Sequence, residues 1–282
     1  MAKAKIEVIY EDKNILVINK PAGVSVTADR TGAARLADIL AQQLGSPVSR
    51  NLRLVHRLDK DTSGIMILAL NPQAQSLFST CFQDRLIMKT YLALVRAPVP
   101  SQQGTIDAPL AHHPTKARLM WIDKKRGKKA VTNWKLLADF GPAALLEVNP
   151  LTGRTHQIRV HLPSVGLPLA IDPLYGSSKP LFLSDFKPDY RLGRNKTEKP
   201  LIDRLTLHAY KLSLPVEPTG DLRNPITGWP NLPHSFTAPL DKKFAATIKM
   251  LTKYNPKGLD AFIDTDYFSD IIKPNGRYGN IK

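Results

Sequence analysis

What constrains this chain most is a change of character between two adjacent segments. His56-Arg57-Leu58-Asp59-Lys60-Asp61-Thr62-Ser63-Gly64 is polar and turn-forming, whereas Ile65-Met66-Ile67-Leu68-Ala69-Leu70 is entirely apolar. A short apolar run bounded by turn residues reads as a buried strand. The charges of the first segment therefore lie where a strand enters the core.

The same reasoning finds the neighbours of that strand. Ile6, Val8 and Tyr10 alternate with polar positions, Glu11 to Asn14 turns the chain, and Ile15 to Ile18 is continuously apolar, which predicts two strands. Lys20-Pro21-Ala22-Gly23 stops the second. Arg35 to Leu44 carries Leu36, Ile39, Leu40 and Leu44 at helical spacing, with Gly45 as its stop. Asn71 and Pro72 open another helix, whose stripe of Ala74, Leu77, Phe78 and Cys81 puts Cys81 in the core. Thr90 to Val95, Leu145 to Val148 and Leu205 to Leu214 read as strands. A helix bearing Ile158, Leu162 and Val165 ends near Gly166, with Pro163 bending or ending it. Lys179 to Arg204 is poorly periodic and is expected to leave the core.

At 282 residues and 43% hydrophobic content there is chain enough to bury roughly three quarters of its unfolded surface. With Cys81 alone, an intrachain disulfide and a cysteine-rich zinc site are excluded, which fits a reducing compartment. No window approaches 18 apolar residues and the start lacks a leader-like apolar run, so the expectation is a cytoplasmic protein, not a membrane one. Forty Lys+Arg against 24 Asp+Glu give a net charge of +16, and such a surplus favours a polyanionic partner, nucleic acid first. A generally basic soluble protein is the alternative.

Three segments could carry chemistry. Asp59 has basic neighbours that favour its charged form, in which it can attack or stabilise an electron-poor carbon; equally, Asp, Thr, Ser and Gly can simply cap a turn. Thr152-Gly153-Arg154-Thr155-His156-Gln157-Ile158-Arg159-Val160-His161 falls at a strand-to-helix junction, where free N–H groups would suit an anion. A helix starting near Thr155 puts His156 and Arg159 on one face, opposite Ile158, where Arg159 either meets a carboxylate in a cleft or stays an exposed cation. In Ile87 to Val95, alternation puts Lys89 and Tyr91 on one side of a strand, a pair that could stack on a base or relay a proton, or serve packing alone. Beyond these, Lys116, Arg118, Lys124, Lys125, Arg126, Lys128 and Lys129 surround a Gly127 turn and Trp121, with Asp123 as the single acid. That is a basic hairpin over about 112–131, either a nucleic-acid arm or a solvated loop.

Taken together, HRLDKDTSG before an apolar strand, KTYLALV and TGRTHQIRVHL resemble the RluA-type pseudouridine synthases, which isomerise uridine in structured RNA. NKPAGV near the start and LHAYKL at Leu207 to Leu212 are similar to that family's opening motif and late strand. The resemblance spans roughly Glu7 to Leu214. It implies an α+β pseudouridine synthase catalytic fold, with a mixed, mostly antiparallel central sheet flanked by helices around a central cleft. It also implies Asp59 as the catalytic nucleophile, Tyr91 packed against the target base, and Arg159 paired with Asp59. Arg57, Lys89, Arg154, His156 and the hairpin cations Lys124, Lys125, Arg126, Lys128 and Lys129 would hold RNA, ribosomal or transfer.

The reaction breaks the bond from sugar to ring nitrogen, turns the uracil, joins its carbon to the sugar and loses a ring proton. It needs no cofactor, and Asp59 could attack either the sugar's carbon or the base's. No metal is expected, since His156 and His161 are not at the spacing of a helical ligand pair and no paired-cysteine site exists. Two departures stand out: Leu167 and Ile171 occupy places where the family often has His and Gly, although Asp172, Tyr175 and Gly176 persist.

The expected organisation is a catalytic domain over 1–240, containing the hairpin and an excursion at about 179–204, and a C-terminal extension over 241–282 with one helix. No separate N-terminal RNA-binding domain is expected, so Arg191, Arg194 and Lys196 of the excursion would assist RNA grip, and a monomer is the default. A second reading is an RNA-binding or RNA-folding protein on the same fold that does not depend on isomerisation. A serine hydrolase is disfavoured by the lack of a G-x-S-x-G elbow.

Overall fold

The structure is a computed structural model describing residues 5–27, 35–45, 51–193, 196–215, 229, 232–255 and 271. The strongest apolar runs become its central strands. Strands β1 (Glu7–Glu11), β2 (Ile15–Lys20), β3 (Arg53–Leu54) and β4 (Ser63–Ala69) form one side of a ten-stranded sheet. β5 (Met88–Arg96), β6 (Gln103–Asp107), β9 (Val131–Asp139), β10 (Ala143–Pro150), β11 (Leu207–Ser213) and β12 (Ser235–Thr237) form the other. The order is β1-β2-β4-β11-β5-β10-β9-β6, with β3 on β4 and β12 on β11. β7 (Leu110–His112) and β8 (Met120–Ile122) make a separate hairpin.

The β4–β11 pairing, His208 with Ser63 and Ala209 with Gly64, is parallel, and the other strand pairs are antiparallel. That short seam joins the two sides. Gly64 makes it possible: a Cβ there would lie 2.1 Å from the Ala209 carbonyl oxygen, and its φ of +119° disfavours any other residue. His208 locks the seam from within. It lies 2.9 Å from Ser63 Oγ through Nδ1 and 3.0 Å from the Ala238 carbonyl through Nε2. Since the carbonyl only accepts, Nε2 carries the proton and Ser63 donates to Nδ1.

Helices cover this sheet as the alternation of its strands requires. On β5 and β10, Leu92, Leu94 and Leu145 face one way, against Phe244, Ile248 and Leu251 of α4 (Lys242–Tyr254). Ala93, Val95, Ala144, Leu146 and Val148 face the other, against Ile158 and Leu162 of α3 (Gln157–Ser164). On the opposite side of the seam, α1 (Leu36–Leu44) and α2 (Pro72–Gln83) bury Leu36, Leu40, Ala74, Phe78 and Cys81 against β2 and β4. The Asn71 side chain accepts from the Ala74 amide, as an N-cap should. The fold is thus α+β with a mixed, mostly antiparallel sheet.

Several local expectations change. The helix assigned to the C-terminal extension packs into the same core cluster as β5 and β10, so its burial is continuous with the sheet's. The 179–204 segment is not wholly outside the core: Leu181 pairs with Ile202, and Ile202 is fully buried, while Arg194 lies outside the described residues. The hairpin's turn is not at Gly127. Its strands are β7 and β8, closed over 113–119, and the Lys124 to Lys129 cations follow it in a turn whose Lys125 and Arg126 amides donate to Asp123 Oδ1. Gly127 is needed there because a Cβ would meet the Asp123 carbonyl oxygen at 2.4 Å. Leu167 and Ile171 are fully buried, and the Leu167 amide closes α3 on the Leu162 carbonyl, one turn after Pro163.

Candidate active site

The loop that delivers Asp59 is held mainly by backbone hydrogen bonds. The Thr62 amide donates to the Asp59 carbonyl at 3.2 Å, and buried Leu58 anchors the other side. Beneath it lies the Lys20-Pro21-Ala22-Gly23 turn, whose Gly23 amide donates to the Lys60 carbonyl at 2.9 Å. Lys20 is fully buried, and its Nζ donates to the carbonyls of Pro21 (3.0 Å), Val24 (3.0 Å) and Lys60 (2.9 Å). Burial lowers its pKa to about 7, against the opposing pull of Asp61 and Asp59. His56, at the loop's start, is structural: its Nε2 accepts from the Ile67 amide at 2.9 Å and its ring stacks on Phe82. Burial, helped by the charge of Lys89, drives its pKa down to about 3 and keeps it neutral.

Facing this loop, α3 contributes Arg159 and the turn before it contributes His156. Arg159 Nη1 lies 3.6 Å from Asp59 Oδ2. Its two hydrogen bonds go elsewhere: Nε and Nη2 donate to Asp172 Oδ2 and Oδ1 at 2.9 and 2.7 Å, a bidentate clamp buried at both ends. Arg159 therefore reaches Asp59 from a position that Asp172 fixes. His156 adopts a left-handed backbone with φ of +52°, a conformation that histidine enters more readily than most side chains. Its Nε2 is 3.8 Å from Asp59 Oδ2, and its Nδ1 is 2.8 Å from the Tyr175 hydroxyl.

At the junction ahead of α3 one amide is already taken, that of Arg154. Gln157 takes the Arg154 amide at 3.0 Å on its side-chain oxygen, accepts from Thr152 Oγ1 at 2.6 Å, and donates to Val131 and Thr132. Buried Thr152 and Gln157 thus satisfy each other against β9, while Gly153 and Thr155 are exposed. From β5 come Lys89 and Tyr91, on the same side as their alternation requires. Lys89 Nζ donates to the Thr152 carbonyl at 3.1 Å, and burial, with the charge of Arg85 adding to it, lowers its pKa to about 8. Burial, with the Asp59 charge adding to it, pushes the Tyr91 phenol up, so it keeps its proton at neutral pH.

Between the two sides of the sheet lies a cleft of about 270 Å³. Arg57, Asp59, Lys89, Tyr91, Arg154, His156 and Arg159 all border it. The side chain of Asp59 is 19% exposed while those of Arg159 and Asp172 are 4% and 3%, so Asp59 is the acid a ligand can reach. The cleft's volume lies near the lower end for small-ligand sites, roughly 300–1,000 Å³, and suits one nucleoside rather than a stretch of chain.

Lys124, Lys125, Arg126, Lys128 and Lys129 do not line the cleft. They lie on the turn after β8, mostly exposed, and are joined to the cleft where Arg154 Nε donates to the Lys129 carbonyl at 3.1 Å. Sequence reasoning missed the parts played by Asp172, Lys20 and Gln157. The signal for Asp172 is an acid directly after the apolar Leu169-Ala170-Ile171, a place a carboxylate occupies only with a partner. Among the described residues no cluster of three or more His, Cys, Asp or Glu could hold a metal ion, and no helix is long and apolar enough to cross a membrane.

Comparison with known proteins gives the same direction. The profile of the RNA pseudouridylate synthase family matches residues 14–164. An RNA pseudouridine synthase of Zymomonas mobilis is 36% identical over 233 residues, 82% of this chain and 95% of the relative. The ribosomal large subunit pseudouridine synthase C of Salmonella typhi is 34% identical, over 86% of this chain and 69% of the relative. Among solved structures, human RNA pseudouridylate synthase domain containing 1 aligns at 29% identity with a TM-score of 0.59, over 77% of this chain and 81% of that one. Domain containing 4, at 24% identity and a TM-score of 0.61, shares the fold. A profile match over more than half of the chain and relatives aligned along most of its length place this protein in the RluA-type family of RNA pseudouridine synthases.

Proposed function

We propose that the protein isomerises uridine to pseudouridine at a defined position of a structured ribosomal or transfer RNA in the cytoplasm, with Asp59 as nucleophile. The observation that carries this reading is the reachable Asp59 carboxylate beside a guanidinium whose other face is clamped by Asp172. A fixed cation 3.6 Å from the carboxylate offsets the charge that moves during attack.

In the reaction Asp59 adds to an electron-poor carbon of the nucleoside, on the sugar or on the base. The N1–C1′ bond breaks, the uracil turns, a C5–C1′ bond forms, the bond to Asp59 breaks and restores its carboxylate, and the C5 proton leaves while N1 gains one. Product and substrate have the same atoms, so no oxidant or co-reactant enters. Tyr91, a phenol that keeps its proton, suits stacking on the uracil and donating a hydrogen bond better than accepting a proton. A cleft of nucleoside size requires the target to be turned out of the RNA stack at a cost of a few kcal/mol. Arg57, Lys89, Arg154 and His156 at the cleft and the cations from Lys124 to Lys129 beyond it offset that cost by holding phosphates.

The test is tritium release from RNA carrying uracil labelled at C5. Wild-type protein should release it and Asp59→Asn should not; normal release by Asp59→Asn overturns the assignment. Pseudouridine mapping of total RNA with and without the protein names the site. Full rescue of a deletion strain by Asp59→Ala would instead favour an RNA-folding role.

A further inference from the structure

Tyr175 borders none of the cleft, yet its hydroxyl sits between the hairpin and the imidazole that does. The Met120 amide of β8 donates to Tyr175 Oη at 2.7 Å, and an amide N–H can only donate. His156 Nδ1 lies 2.8 Å from the same oxygen. Burial raises the Tyr175 pKa, so the phenol keeps its proton, and among the described residues Met120 and His156 are the hydrogen-bond partners of Oη. The arrangement that also gives the phenol proton a partner among the described residues is donation to Nδ1, which is then the bare nitrogen. Burial also holds His156 below the ordinary histidine range, although Asp59 and Asp172 pull the other way and Arg159 and Arg57 assist it. A neutral ring with a bare Nδ1 carries its proton on Nε2, the nitrogen that faces Asp59 at 3.8 Å.

We propose that Tyr175 is a positioning residue that fixes His156 as its Nε2–H tautomer, so that the imidazole presents a neutral hydrogen-bond donor to the cleft beside Asp59. The β8 backbone in turn holds the phenol, which ties the donor's state to the seating of the basic hairpin. A bare Nε2 would aim a lone pair at the carboxylate. An Nε2–H attracts the carboxylate and the carbonyl oxygens on the edges of uracil alike. The catalytic consequence rests on Asp59 being the nucleophile; the tautomer does not.

The experiment therefore reads the imidazole directly. In the full chain labelled with ¹⁵N-histidine, the His156 resonances are assigned by their loss in His156→Gln. The wild-type ring should show the Nε2–H tautomer at neutral pH, and Tyr175→Phe should populate Nδ1–H. In tritium release, Tyr175→Phe should lower kcat about tenfold, the size of one hydrogen bond removed from a buried site, with KM for RNA changed by less than about twofold. Adding Tyr175→Phe to His156→Gln should cost nothing further, because both act through one ring. An Nδ1–H tautomer in the wild type overturns the proposal, and that spectrum decides even if Tyr175→Phe fails to fold. An unchanged tautomer in a folded Tyr175→Phe, or additive losses in the double variant, overturns it as well.

Discussion

Lys20 and the lysines at 124, 125, 128 and 129 carry the same side chain and do opposite work. Lys20 is wholly buried and directs its donors to three backbone carbonyls under the Asp59 loop. The lysines beside the hairpin lie on the turn after β8, largely open to solvent. A charge in a low-dielectric floor is worth what its fixed partners make of it, whereas exposed cations act by their sum and are screened by salt. The surplus of +16 is therefore two quantities: a few buried cations that set geometry, and many exposed ones that set affinity for a polyanion.

Each region can be broken separately. The largest effect is expected in the floor: Asp59→Asn should lower turnover by at least about 10⁴-fold while RNA affinity, measured by filter binding, stays within about twofold. Asp172→Asn comes next. It weakens the buried clamp on Arg159, and breaking such a pair costs about 3–5 kcal/mol, read as a lower denaturant midpoint together with reduced turnover. A variant with normal stability and turnover would show that Asp59 alone positions Arg159.

Lys20 gives a smaller effect with a definite sign. Its folded pKa is about 7 against 10.5 for an unperturbed lysine. Between these values the unfolded chain holds more protons, so this group makes stability rise with pH above about 7 and contributes no slope below it. Lys20→Met should remove up to about 1.4 kcal/mol per pH unit of that slope between roughly pH 7 and 10, measured by denaturant titration. An unchanged slope would mean the ammonium is not desolvated as its burial implies.

The smallest single effects belong to the turn beside the hairpin. Replacing Lys125 or Lys128 by Gln should leave kcat unchanged, raise KM, and reduce the slope of log affinity against log salt by at most about 0.9 for each phosphate no longer neutralised. A change in kcat from either substitution would erase the distinction between the two regions.

How legible the site is in the sequence depends on whether its partners are neighbours along the chain. Asp59, Tyr91 and Arg159 lie in segments whose local pattern is informative: a charged turn before an apolar run, an alternating strand, a helix with one apolar face. The clamp on Arg159 joins residues 13 apart across a break in secondary structure, and the Lys20 hydrogen bond to Lys60 spans 40. No local periodicity reports such a pairing. The hairpin's turn is misleading for a similar reason: Gly127 looks like a hairpin tip, but it is required by the close approach of Asp123 and Pro109.

By itself the sequence determined most strands and helices of the core, though not β9, together with the core position of Cys81 and the segments that bring Asp59, Tyr91 and Arg159 to the cleft, because hydrophobic periodicity and caps act over a few residues. Only the tertiary structure decided which acid clamps Arg159, which phenol meets His156 and which cations face solvent. Those outcomes depend on desolvation and on hydrogen-bond partners supplied across the seam and by the hairpin, and such partners exist only once the chain is packed.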